Sequence, residues 1–362
     1  MQNMKPNAID ASNGVKQSDT TILETIIDKA NKELIPLTVL LELTRKCNLK
    51  CRHCYLIKDN SGDEMSKAMI FSLIDELRLA GCLFITFTGG EPLLRPDFLD
   101  ICRQASSSNM AINIFTNGTL ITEELARELS ALNILDVSLS IYGATDETHD
   151  NITRKKGAYH QTLQGALILK KHGLNVRFKY IMMNANIADY EQMLNLSIEL
   201  NIPYDLDPVI TPRDNGDRAP TKFRLNNKAL KKIYSSLNIS PRSAPDTRYR
   251  DGWSCSFGRS HCAISACGDV YPCIQLPVSS GNLSRQSFGM IWNHSDWLKE
   301  VRKFSSDKIT ACRKCSLSDY CRQCPGLAYV EEGSLYSPSQ EACRHAKVLS
   351  LIPLTGSRSS SS

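Results

Sequence analysis

The sequence predicts an α/β fold: a partial barrel of six strand–helix units followed by a loop-rich, cysteine-dense domain. Two observations carry this. From residue 37 to about residue 210, short β-branched and aromatic runs alternate with amphipathic stretches at helical spacing. That rhythm builds a parallel sheet with helices outside it. After residue 252 the rhythm stops, and cysteines crowd into segments of low periodicity. Six units fall short of the eight that close a barrel, so the sheet is expected to stay open and curved.

The elements follow in order. Residues 1–36 hold a polar, mobile tail to about residue 19. A helix then packs on the core as a lid, since Ile22, Leu23, Ile26, Ile27 and Ala30 recur at helical spacing. Residues 37–211 form the partial barrel, with strands at 37–43, 83–88, 112–115, 135–141, 176–183 and 204–210. Helices at 66–80, 98–107, 123–132, 159–172 and 188–200 separate them. Residues 212–252 connect the domains through a Pro- and Gly-containing loop, a helix at 227–237 and an irregular stretch at 242–252. The cysteine-dense domain runs over 253–346, and 347–362 ends in a serine-rich tail or cloning remnant at 356–362.

Composition narrows the function. With 362 residues and 42% hydrophobic content, the chain can bury a core. A net charge of +5 is too mild for a nucleic-acid binder, but it suits an acidic substrate or negatively charged clusters. There is no apolar signal region at the N-terminus and no run long enough to span a bilayer, so a cytoplasmic protein without membrane contact is expected. Fourteen cysteines in that reducing compartment read as metal ligands rather than disulfides.

In α/β barrels the chemistry collects at the C-terminal strand ends. There, just after the first strand, Cys47, Cys51 and Cys54 stand in C-x3-C-x2-C spacing. Three thiolates on one tight loop can ligate three corners of a cubane. An ordinary [4Fe–4S] site takes four cysteines, so one iron is left open for a small molecule, as in catalytic rather than structural zinc sites. Read alone, the loop also suits zinc or a disulfide. With Tyr55, its spacing resembles the signature of the radical S-adenosylmethionine (radical SAM) enzymes. The resemblance implies that the open iron chelates SAM, and that His53 takes the place of an aromatic packed near the adenine.

Other motifs extend the resemblance. Thr88-Gly89-Gly90-Glu91-Pro92 is similar to the family's GGEP motif, whose backbone and acid hold the methionine ammonium; its plain alternative is a strand-to-helix turn. Ser138 and Ser140 fall in the family's ribose and carboxylate region, where any half-buried strand would look alike. Asn117 matches a SAM-proximal polar residue or a simple Asn-Gly turn. Arg154 resembles an arginine that meets the SAM carboxylate through its planar fork, against a solvated basic face.

The C-terminal cysteines resemble the SPASM domain, an extension of radical SAM enzymes that carries auxiliary [4Fe–4S] clusters. Cys255 to Gly268 to Cys273 follows that domain's first pattern, and Cys312-x2-Cys315-x5-Cys321 its second. Cys321-x2-Cys324 is one residue shorter than the usual spacing. The resemblance implies a first auxiliary cluster on Cys255, Cys273 and Cys324. Its fourth ligand would be Cys262 or Cys267, or that iron is open to substrate. The second cluster would use Cys312, Cys315, Cys321 and Cys343. A zinc ribbon is the rival reading, but five residues between pairs is short of the roughly 15–20 usual there. Metal binding would supply the folding energy that a loop-rich segment lacks. Cys82 and Cys102 read as core residues, His261, His294 and His345 as surface or supporting groups, and Trp292 and Trp297 as packing.

The activity implied is hydrogen abstraction by a 5′-deoxyadenosyl radical, with a flavodoxin or ferredoxin supplying the electron. SPASM proteins mostly act on peptides or proteins, so the expected substrate is a ribosomally synthesised precursor peptide. A separate leader-peptide-binding protein is expected, the segment before residue 37 being too short for such a domain. Alternatives are sulfatase-type protein maturation and tailoring of a cofactor such as a haem-type tetrapyrrole. A non-catalytic iron–sulfur or zinc scaffold would leave Glu91 and the Cys47 loop without a purpose. No catalytic acid or base stands out; Asp205, Asp207, Asp269 and Tyr271 all have suitable chemistry.

Overall fold

The computed structural model describes residues 17–57, 63–237 and 255–353, with side chains from Ile22 onward. The expected polar tail before residue 17, the irregular stretch at 242–252 and the serine-rich end lie outside the described residues. After helix α1 (Gln17–Glu33), strands and helices alternate: β1 (Thr38–Thr44), α2 (Lys67–Leu79), β2 (Phe84–Gly89), α3 (Phe98–Ser107), β3 (Ala111–Thr116) and α4 (Glu123–Ser130). There follow β4 (Ile134–Ile141), α5 (Asp146–Thr153), α6 (Ala158–Lys171), β5 (Val176–Ile181), α7 (Tyr190–Leu200) and β6 (Tyr204–Asp207).

Local chemistry sets these boundaries. The Ser66 hydroxyl caps α2 by accepting from the Met69 amide, and Ile70, Leu73, Ile74 and Leu77 bury one stripe of that helix. Thr122 and Thr145 cap α4 and α5 in the same way. Helix α5 was not expected. Its sequence, DETHDNIT, has little apolar periodicity and forms on its cap and two acidic residues in the first turn.

β1 to β6 pair in sequence order, all parallel. Alternation divides each strand between two faces. Val39, Leu41, Ile85, Phe87, Ile112, Val137, Leu139 and Phe178 are buried on one face. The other carries polar groups in register: Thr86 beside Asn113, Asn113 beside Asp136, Ser138 beside Arg177, and Lys179 beside Asp205.

The sheet has eight strands rather than six. β7 (His261–Ile264) pairs in parallel with the free edge of β1, and β8 (Val270–Tyr271) pairs antiparallel with β7. Cys262 pairs with Val39 and shares its buried face. Two short helices, α9 (Phe288–His294) and α10 (Asp296–Arg302), follow.

The chain forms two compact units that do not follow sequence order. The first comprises the described residues up to Arg224 together with Ser256–Arg302. The second comprises the described residues of Leu225–Cys255 and those from Lys303 onward. The second unit holds α8 (Asn227–Ser236), α11 (Pro325–Glu332) and α12 (Gln340–Ser350), joined by 3-10 turns. There α8 packs on α12, where the Tyr234 hydroxyl meets His345 Nδ1 at 2.6 Å and His345 Nε2 meets Glu341 at 3.0 Å. No described helix is long and apolar enough to cross a membrane.

Candidate functional site

The loop after β1 is clamped on several sides. The Gly90 amide donates to the Thr44 carbonyl at 2.7 Å, and the Glu91 amide to the Lys46 carbonyl at 2.8 Å. This approach leaves no room for a side chain. A Cβ on Gly90 would lie 2.2 Å from the Lys46 oxygen, and one on Gly89, at φ 132°, would lie 2.3 Å from the Thr44 oxygen. From the opposite direction, the amides of Lys50 and Arg52 donate to the Thr153 and Ile152 carbonyls at the end of α5, at 3.0 and 3.1 Å. Asn48 donates to Thr119 Oγ1 and accepts from Asn117 Nδ2, both at 2.8 Å. Glu64 Oε1 accepts from the Thr44 hydroxyl and the Arg45 amide at 2.7 and 2.8 Å.

Within this frame Cys47, Cys51 and Cys54 are in no disulfide and are half-buried. The Leu49 amide approaches Cys47 Sγ at 3.4 Å. Burial pushes the Tyr142 phenol well up, then Cys51, with Cys54 and Cys47 adding to it. Cys51 packs against the cluster of Tyr142, Ile152, Met183 and Ile210. The His53 ring meets Tyr142 edge-on at 4.5 Å, and the Ser140 side chain hydrogen-bonds the phenol. The Tyr142 amide donates to His149 Nδ1 at 3.2 Å, and burial lowers that imidazole to about 4, so it is neutral at physiological pH.

Among the described residues, no group of three or more His, Cys, Asp or Glu side chains is placed to hold a single metal ion. One zinc draws its sulfurs to about 2.3 Å from a common centre. Thiolates on separate irons of a cubane stand farther apart, and three half-buried thiols on one short loop suit such a group.

Several expected SAM contacts are engaged within the chain itself. Glu91 is 0% exposed. Its Oε1 accepts from Thr116 Oγ1 at 2.6 Å and the Leu93 amide at 3.1 Å, and its Oε2 from the Asn117 amide at 2.8 Å. Burial raises its pKa to about 7. Glu91 therefore staples the turn after β2 to the turn after β3. The Asn117 side chain is used by Asn48 and Thr119. Ser138 donates to Asp136 at 2.7 Å. Arg154 ends α5 in the left-handed region at φ 57°, with an exposed side chain.

Tyr55 donates to Glu42 at 2.8 Å, a residue that sequence reasoning missed. Glu42 is a buried acid within the apolar β1, raised to about 7 by burial. Its signal was there to read, as a charge inside the run TVLLELT. Tyr142 was passed over for its serine neighbours. Of the suggested proton-transfer groups, Asp205 and Asp207 are exposed on β6. Burial, and then Asp269, raises Tyr271 to about 12.

The C-terminal cysteines divide between the units. In the first, Cys262 lies buried on β7, where burial, then Cys82 and more weakly Cys273, raise its thiol. Cys273 Sγ is approached by the Gln275 amide at 3.5 Å, and half-buried Cys267 offers its carbonyl to Asn282. In the second, Cys312 is raised by burial and by its neighbours Cys343 and Cys315. The 3-10 turn Ser318–Tyr320, just before Cys321, packs on α12, which carries Cys343. Cys324 caps α11, its sulfur accepting from the Leu327 amide at 3.4 Å. Cys255 also belongs to this unit.

Comparison with known proteins adds family and fold. Residues 41–197 match the radical SAM superfamily, and residues 255–325 match the SPASM iron–sulfur cluster-binding domain. The AdoMet-dependent heme synthase of Methanosarcina barkeri is 29% identical over 335 residues, covering 82% of this chain and 93% of that protein. The mycofactocin maturase MftC of Mycolicibacterium smegmatis is 27% identical over 321 residues, covering 79% of this chain and 77% of that protein. In fold, the chain resembles Streptococcus suis SuiB bound to its precursor peptide SuiA. The TM-score is 0.69 at 15% identity, over 95% of this chain and 84% of that one.

Proposed function

This chain is a radical SAM enzyme with a C-terminal SPASM domain, and from that premise we propose that it modifies a ribosomally synthesised precursor peptide. The observation that carries the chemistry is the three-thiol loop, packed beside Tyr142 through Cys51 and His53 and clamped by Gly89, Gly90 and the end of α5. Cys47, Cys51 and Cys54 are the proposed ligands of the SAM-binding [4Fe–4S] cluster. When bound, the reduced cluster supplies the electron that splits SAM into methionine and a 5′-deoxyadenosyl radical.

The residues of the chain position this chemistry. Gly89 and Gly90 let the loop close down, and Glu91 and Asn117 fix the turns on which it rests. His53, Ser140 and Tyr142 form the wall next to the thiols, and Arg154 is the proposed partner of the SAM carboxylate. In the auxiliary region, Cys312, Cys315, Cys321 and Cys343 are proposed ligands of one cluster. Cys262 and Cys273 in the first unit, and Cys255 and Cys324 in the second, are proposed as further cluster ligands. The electron comes from a flavodoxin or ferredoxin, and a separate protein presents the leader peptide.

A peptide substrate is supported by the MftC relative and by the resemblance in fold to a peptide-bound maturase. A tetrapyrrole is the second reading, favoured by the 29% identity to a heme synthase. The test is anaerobic reconstitution with SAM and dithionite, followed by mass spectrometry of candidate precursor peptides and of iron-porphyrin precursors. A mass change on a peptide, abolished by Cys47→Ala, supports the first reading. Turnover of the porphyrin alone overturns it in favour of the second, and absence of 5′-deoxyadenosine overturns both.

A further inference from the structure

One side of the three-thiol loop is basic and faces solvent. Lys50 and Arg52 flank Cys51 in sequence, so their Cα atoms stand about 3.8 Å from its own. Their amides donate to the Thr153 and Ile152 carbonyls at 3.0 and 3.1 Å, which brings them against Arg154-Lys155-Lys156 at the end of α5. The Arg52 guanidinium also donates to Asn151 Oδ1 at 2.6 Å. Lys50, Arg52 and Lys156 are exposed, and Lys155 is half-buried.

Among the described residues, none of these four side chains forms an ion pair. Other exposed cations of the first unit do take carboxylate partners: Lys67 pairs with Asp100, Arg103 with Asp100 and Glu128, and Lys171 with Glu123. Asp150, on the last turn of α5, commits its two carboxylate oxygens to the amides of Gly157 and Tyr159, at 2.5 and 2.9 Å. Asp146 and Glu147 stand at the other end of that helix, in its first turn. Cations at a helix C-terminus ordinarily serve its open carbonyls, but here the loop's own amides occupy two of them. Like charges gathered without acids repel one another, so this patch is stabilised only when an anionic surface arrives from outside.

We propose that Lys50, Arg52, Lys155 and Lys156 form the docking surface for an acidic one-electron carrier, the protein that reduces the cluster held by Cys47, Cys51 and Cys54. This rests on the ligand assignment proposed above. In the transfer one electron leaves the carrier, which is oxidised, and enters the cluster, which is reduced; no bond forms or breaks. Complementary charge speeds the encounter more than it tightens the complex, which suits a carrier that must leave after each electron. Location selects the same partner. Cys51 lies between two of the cations, so a donor seated here has a short covalent path to a ligand thiol.

The experiment uses the full chain, reconstituted anaerobically, with a flavodoxin as the probe. In Lys155→Glu together with Lys156→Glu, the association rate at low salt, read by stopped-flow flavin fluorescence, should fall about tenfold, and the difference should vanish near about 1 M salt. Flavodoxin-driven 5′-deoxyadenosine formation should fall about tenfold as well, while dithionite-driven formation stays within about twofold. Arg154, assigned above to SAM, is left unchanged. Lys228→Glu together with Lys231→Glu, on the exposed side of α8, makes the same change in net charge in the second unit. An equal loss in that control, or an unmoved association rate in the patch variant, overturns the inference. So does a parallel fall under dithionite, which assigns these lysines to SAM or the cluster instead of docking. Should the charge-reversed variant not fold, Lys155→Ala together with Lys156→Ala decides: a fall of about threefold at low salt is expected, and an unmoved rate overturns the proposal. A parent chain that forms no 5′-deoxyadenosine even with dithionite fails the cluster assignment itself, while the association rates still report on the surface.

Discussion

The loop that carries Cys47, Cys51 and Cys54 and the segment that carries Cys312, Cys315 and Cys321 both offer three thiols on a short stretch of chain. They are held by opposite means. The first is fixed by backbone and side-chain hydrogen bonds from β2, β3 and α5, over a sheet with a buried face. The second runs through 3-10 turns of three residues each, of which the one before Cys321 packs on α12. One is a site prepared in advance for its cluster. The other is a segment for which the cluster substitutes for a core.

Removing iron is the severest test of that contrast. Anaerobic chelation should raise amide exchange across 303–324 on the order of a hundredfold, to the level of a locally unfolded segment, while 38–54 keeps its protection. Equal loss in both regions, read by hydrogen exchange and mass spectrometry, would erase the distinction. Gly90→Ala attacks the prepared site directly. Forcing a methyl against the Lys46 carbonyl should cost about 1–3 kcal/mol by chemical denaturation. It should also lower 5′-deoxyadenosine formation at least about tenfold, with the C-terminal iron retained.

Acidity offers a finer probe. Burial raises Glu91 to about 7 from an ordinary value of 4.5, so the fold favours its protonated form. The stability it contributes is full below pH 4.5 and is lost as the pH rises through about 7. Glu91→Gln should flatten that decline in denaturant midpoint, and adding Glu42→Gln, whose shift has the same sign and cause, should flatten it further. An unchanged slope in the double variant would remove burial of these acids as its source. The smallest effect belongs to the other region. Tyr234→Phe removes one hydrogen bond to His345 and should cost about 1 kcal/mol, without altering SAM cleavage.

The sequence made the barrel legible because its periodicity is strong. All six strands stand within one or two residues of where alternation placed their starts. Helix α5 escaped because a capped polar helix has no apolar stripe to read. β7 escaped because its four residues sit among cysteines whose spacing had already been given another meaning. The thiols of the first site were plain from their spacing. What could not be read was how far the surrounding motif is occupied with itself: the partners of Glu91 lie on β3 and the turn after it, and only the fold brings them together. The same holds for Lys50 and Lys156, ordinary basic residues in sequence that become one patch only where the loop bonds to the end of α5.

The parallel pairing of β7 with β1 sets an order on how this molecule is made. β1 leaves the ribosome early, yet the neighbour that seals its outer edge is not synthesised until residues 261–264. Throughout that interval a strand of Val, Leu and Leu presents unpaired amides, the kind of edge that recruits a wrong partner. Recombinant yield should therefore depend on slow translation or chaperone cover during that window, and truncations ending before residue 264 should aggregate even though they contain all six strand–helix repeats.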